Sequence, residues 1–226
     1  MEVGLIDVLI GLSILAAIFG MSLWRYAARV ERVFILFIVN NAFFEFLTTM
    51  IIRVGYKNNL PFVHTYTLIQ FKLMTIFFAE CFKVLKMKVN YMWVLVFGSL
   101  AIIANSIFIQ SIYIYNSYSK SLVDLYIMVC SVSLFIYLIK DRKHDRAELK
   151  PSVSFAAATY LASSISFVIF LFGNVIMNYA DESKVIDLVW DLRMGVNFIT
   201  IFITFFGLKQ LYDKNLASCK NEQFYG

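Results

Sequence analysis

Glu45, Asp191 and Arg193 each interrupt a run of apolar side chains long enough to cross a bilayer. A charge in such a place costs several kcal/mol unless it is paired or faces water inside a bundle. The spacing around them is helical. Asn41, Glu45 and Thr48 recur at i, i+4 and i+7, one stripe of a helix. Tyr66, Gln70, Leu73, Phe77 and Glu80 form a second stripe. Asp187, Trp190, Asp191, Met194 and Asn197 cover an arc of roughly 120°, with Arg193 on its edge.

Depth follows from the rise of roughly 1.5 Å per residue. Measured from the outer surface, Glu45 and Arg193 both lie roughly 12 Å deep, Tyr66 and Asp191 roughly 9 Å, and Gln70 roughly 15 Å. His64 lies roughly 6 Å deep, Asp124 roughly 8 Å and Lys72 roughly 18 Å. Matching depth makes a Glu45–Arg193 ion pair the cheapest arrangement. The candidate ligand-binding set is therefore Glu45, His64, Tyr66, Gln70, Asp191 and Arg193, converging on an outward-opening pocket. For Glu45, Asp191 and Arg193 a structural ion-pair network and a binding pocket both remain open. Lys72, far from either surface, should pair with a carboxylate or line water. Asn105 and Asn178 read as interhelical packing contacts, each contributing under about 1 kcal/mol.

The residue inventory limits the chemistry. A zinc hydrolase needs several His or acidic ligands around an open position. The chain has two histidines, His64 and His144, expected on opposite sides of the membrane. No G-x-S-x-G, H-E-x-x-H or glycine-rich phosphate loop occurs. A retinal photoreceptor would need a lysine in the middle of the last span, where Arg193 stands. No metal and no cofactor is expected, and an enzyme is the less favoured class. Small seven-helix sugar transporters carry prolines inside their repeated helices, which these spans lack. The reading that remains is a receptor-like or accessory protein that binds a small polar ligand from outside and acts through a partner. Its alternative is a small transporter or channel using the same pocket.

These residues must be carried by membrane helices. Of 226 residues, 61% are hydrophobic and 15% charged, with a mean hydropathy of +0.75. That leaves too little polar surface to wrap a soluble core. Apolar runs at 3–24, 33–53, 60–82, 91–112, 119–139, 152–178 and 185–208 each match the roughly 20 residues a spanning helix needs. None shows sustained period-2 alternation, so the expected fold is an all-α, seven-transmembrane-helix bundle rather than a barrel. Pro61 and Pro151 stand near helix starts, where a missing N–H costs little. Three cysteines without a C-x-x-C give neither a disulfide framework nor a metal knuckle.

Lys and Arg alternate from one connection to the next. Fourteen fall in the set around 25–32, 83–88, 140–150 and 209–220, and four, including Lys120, in the opposite set. The positive-inside rule then puts the N-terminus outside and the C-terminus, with a short tail at 209–226, in the cytoplasm. Residues 1–6 lack the positive start of a cleavable leader, so the first run should remain as a span. The +5 net charge reflects this bias rather than nucleic-acid binding. Lys140–Lys150, a mixed-charge connection, is the candidate surface for a cytoplasmic partner. Frequent Ile, Phe, Lys, Asn and Tyr suit an AT-rich coding sequence, and a bacterial inner membrane is expected. Phe34, Phe37, Phe77, Phe78, Phe202 and Phe205 should close the cytoplasmic half of the bundle.

Overall fold

Long apolar runs leave backbone polar groups only one economical solution, the helix, and the computed structural model is helical wherever those runs occur. It describes residues 4–56, 58–88, 90–113, 116–140, 149–179 and 183–225, with side chains at 173–179, 183–188, 190 and 218–225 outside the description. The helices are α1 (Leu5–Ser22), α2 (Arg29–Arg53), α3 (Leu60–Val84), α4 (Tyr91–Ala104), α5 (Ser117–Lys140), α6 (Lys150–Tyr179) and α7 (Ser183–Tyr225). Among the described residues there is no strand.

Six of the seven are long and apolar enough to cross a membrane; α3 is the exception. It matches α2 in length at 25 residues, but carries His64, Gln70, Lys72, Glu80 and Lys83. Most of that polarity is turned inward, since His64, Gln70 and Glu80 are all buried. Lys72 is not. It is exposed at mid-helix, so the expectation that it lines an interior space or pairs there is not met.

Helix ends are fixed by local chemistry. Asp7 accepts a hydrogen bond from the Gly4 N–H (3.2 Å), and Glu31 one from the Ala28 N–H (2.6 Å), satisfying donors the helices leave open. Gly55, at φ +95°, ends α2 in the left-handed conformation that glycine adopts at no steric cost. Ion pairs then tie neighbouring ends together. Asp7 pairs with Arg53 at one end of the bundle, and Arg29 with Glu80 (3.1 Å) at the other. Glu31, fully buried, takes Lys214 of α7 at 2.8 Å. The second end also holds Arg25, Arg32, Lys83, Lys86, Lys88 and Lys140 and is called the basic end below.

Contacts α1–α2, α2–α3, α3–α5, α5–α6, α6–α7 and α7–α1 close a ring, and α2 touches α6 across its middle. Helix α4 stands outside the ring against α3. Glycine makes two of these contacts possible. A Cβ on Gly98 would lie 2.2 Å from the Phe71 ring, and one on Gly207 would lie 2.5 Å from Phe155. Two boundaries differ from expectation. The fourth run leaves α-helical geometry at Asn105–Ile109, a π-helical turn closed by the Gln110 N–H on the Asn105 carbonyl (2.7 Å). Asn105 there also donates to Ser119 at 2.8 Å. And α7 continues past residue 208 to Tyr225, because Leu211 and Lys214 pack back on the bundle and make 209–217 part of it rather than a free tail.

Candidate functional site

Inside the ring lies a cavity of about 130 Å³ to which every helix except α4 contributes. Helix α7 lines it with Arg193, Val196, Asn197, Thr200, Ile201 and Thr204, positions that recur at helical spacing on one face. Opposite stand Asn41 and Glu45 of α2, Tyr66 and Gln70 of α3, and Lys120 and Asp124 of α5. A second space of about 120 Å³ adjoins it on the side away from the basic end, reaching Thr48, Val63 and Phe170. Asn41, Glu45, Tyr66, Lys120 and Arg193 line both, so the charged residues form the partition between them.

The partition is a bonded structure. The Tyr66 hydroxyl donates to Asn41 Oδ1 (2.7 Å), Asn41 Nδ2 to Glu45 Oε1 (3.4 Å), and Ser13 Oγ to Glu45 Oε2 (2.7 Å). That chain links α3, α2 and α1. On the other side Lys120 forms a buried ion pair with Asp124, one turn later on α5. The Phe170 ring of α6 has two cations at cation–π range, Lys120 Nζ 5.4 Å and the Arg193 guanidinium 5.7 Å from its centroid. Gln70 Oε1, Asp124 Oδ2 and Thr200 Oγ1 are buried polar atoms with no hydrogen-bond partner, all in cavity-lining residues.

Four of the six residues singled out from the sequence thus meet here: Glu45, Tyr66, Gln70 and Arg193. His64 does not join them. It is buried on the face of α3 toward α4, with Nδ1 2.9 Å from Ser106 Oγ. Asp191 is exposed, because it lies about 200° around α7 from Arg193 at 100° per residue. The described hydrogen bonds of Glu45 come from Ser13 and Asn41; Arg193 lines the same cavity. Lys120 and Asp124 were missed as site residues. In the sequence Lys120 reads as part of a connection, but α5 starts at Ser117 and turns it inward. The i, i+4 spacing of opposite charges was the available signal. Lys140–Lys150 lies largely outside the described residues.

The cavity's floor is aromatic. Phe34 stacks on Phe155 with centroids 4.1 Å apart and meets Phe37 and Phe77 at 5.4 and 5.2 Å. Phe77 and Phe78 are fully buried beneath, and Phe205 packs against the cluster, whereas Phe202 is 65% exposed and points out of the bundle. Because Phe34 and Thr204 line the cavity, it extends toward the basic end, beyond the half in which Glu45 and Arg193 stand. Glu80 lies beyond this floor with Arg29. Among the described residues no three His, Cys, Asp or Glu side chains come together as a metal site. No protein-family model matches the chain, and no curated protein or solved structure is significantly similar to it.

Proposed function

We propose that this chain is a receptor-like or accessory membrane protein that binds a small polar solute in the α1–α3/α5–α7 cavity, entered from the outer side. In this reading all seven helices span, with the N-terminus outside and the C-terminus in the cytoplasm of a bacterial inner membrane. Helix α3 is long enough, about 37 Å, and its neighbours screen most of its polar side chains from lipid.

One observation carries the proposal. Two carboxylates and two cations from three helices line one internal space, beside polar atoms that have no hydrogen-bond partner among the described residues. Desolvating four charges is expensive, and an apolar core of similar volume is often the more stable solution. Their presence is the signature expected of a ligand site rather than of packing. In this reading occupancy is passed on through a partner protein.

The second reading, transport, draws on the depth of the cavity, which ends on the Phe34–Phe77–Phe155 cluster rather than at mid-membrane. Purified protein in liposomes separates the two. Solute binding without flux supports the receptor, flux across the bilayer supports the transporter, and neither binding nor flux of any small polar solute overturns both.

A further inference from the structure

From the chemistry of the cavity wall, and resting on the ligand-site reading above, we infer that the solute is a small zwitterion bearing a primary ammonium and a carboxylate, of amino-acid type. Three properties of the wall lead there.

The first is charge balance. Among the described residues Glu45 and Asp124 supply two negative charges, Lys120 and Arg193 two positive ones, all on one cavity. A ligand with one net charge would leave that charge uncompensated in a low-dielectric interior, which is costly. A zwitterion adds none. A neutral polyol would also keep the balance, but it makes no use of separated charges.

The second is the type of the orphaned atoms. Gln70 is 5% exposed and Asp124 fully buried, and the atoms left without a partner are acceptors, Oε1 and Oδ2. Acceptors need donors, and an –NH₃⁺ group carries three. Asp124 is suited to receive one, because its other oxygen is already occupied by Lys120. The Thr200 hydroxyl, also unpartnered, can add a further contact from α7.

The third is donor capacity at the partition. Lys120 has three N–H groups and gives one to Asp124; Arg193 has five in a planar fork. Both lie at cation–π range of the Phe170 ring, and both line the cavity and the space that adjoins it. That is a receptor for a carboxylate, reached through the outer space. Carboxylate at the partition and ammonium toward Gln70 and Asp124 is the orientation that results. Size agrees: a cavity of about 150 Å³ holds benzene, with six heavy atoms, and this one is about 130 Å³. Alanine also has six heavy atoms.

The test uses full-length protein in nanodiscs and two readouts, thermal unfolding and equilibrium binding of radiolabelled L-alanine. The probes are L-alanine, glycine, propionate, n-propylamine, glycerol and glycine betaine. Betaine is zwitterionic but has no N–H. Glycine or L-alanine should raise the unfolding temperature in a saturable way. Propionate, propylamine, glycerol and betaine at equal concentration should not. Gln70→Leu leaves the Lys120–Asp124 pair intact and should weaken zwitterion binding about tenfold, the loss of one charge-assisted hydrogen bond. Saturable binding of propionate, propylamine or glycerol in place of the amino acids would overturn the zwitterion while leaving a polar ligand site. Binding of betaine equal to that of glycine would overturn the role given to Gln70 and Asp124. No response to any probe would overturn the ligand site itself, leaving a hydrated structural cavity.

Discussion

Lys120 and Asp124 form an ion pair on the cavity wall, and both are almost wholly withdrawn from solvent. Removing one partner strands the other. Lys120→Met is therefore expected to destabilise the protein by about 3–5 kcal/mol, with Lys120→Met plus Asp124→Leu recovering much of the loss. Cys81, fully buried, makes a thiol-reactive dye a convenient reporter of unfolding in detergent; strictly additive losses would show that the two groups do not interact. Glu45→Gln should cost less, since an amide can keep one of the bonds from Ser13 and Asn41. Sequence made Glu45, Tyr66, Gln70 and Arg193 legible because a polar side chain within an apolar run has few reasons to be there. It could not say which way each helix is rotated about its axis. Rotating the α7 stripe to centre on Arg193 is enough to bring in Thr200 and Thr204 and expel Asp191. Lys120 was hidden for a different reason: at the edge of a run, a loop lysine and a buried one look alike.

Helix α7 does three tasks along its length: it lines the cavity, grips the aromatic floor and reaches back to α2. Its middle task depends on Gly207. Gly207→Leu must displace Phe155, whose ring stacks on Phe34, and overpacking of this kind costs about 1–3 kcal/mol. The measurement is the unfolding temperature, with no loss expected for Gly11→Ala, where a Cβ meets nothing within 4 Å. The last task depends on Lys214. Truncation before Lys209 should strip Leu211 and Lys214 from the bundle, strand the buried Glu31 carboxylate and lower stability more than Lys214→Ala alone. Equal effects would mean that the extension contributes only its lysine. Helix α3 gives the opposite expectation. Lys72 is exposed at mid-helix, so Lys72→Leu should leave stability unchanged or raise it. Collapse of the fold would show Lys72 to be bonded inside. Helix boundaries were readable to within a few residues because apolar runs end at charges. The continuation of α7 was not, since residues 209–217 are polar enough to pass for a solvated tail and are ordered by tertiary contacts. Nor was the π-helical turn, which depends on Asn105 reaching Ser119 of another helix.

At the scale of the whole molecule, direction decides what the cavity can sense. Alternating helices place the basic residues at one end, and burial of Lys120 removes one of the few cations assigned to the other. The charge bias is therefore steeper than a count along the sequence suggests, which favours the N-outside orientation proposed above. The second space, reaching Thr48 and Val63, lies toward the end opposite the basic one. Single cysteines on a background with Cys81, Cys130 and Cys219 replaced by alanine would test this. Asn58→Cys and Ser111→Cys should react with an impermeant maleimide in intact cells, and Lys86→Cys only after permeabilisation. The closed ring and the ion pairs at both ends predict that the two outer sites respond alike. Reversed labelling would leave the cavity's geometry intact and change its meaning. The vestibule would then open to the cytoplasm, the Phe34–Phe77–Phe155 floor would face outward, and the solute would be an intracellular metabolite. Labelling of Asn58→Cys and Ser111→Cys from opposite sides would mean instead that α3 and α4 do not both cross, and α3, which is not among the six helices long and apolar enough to span, would be the first to reconsider.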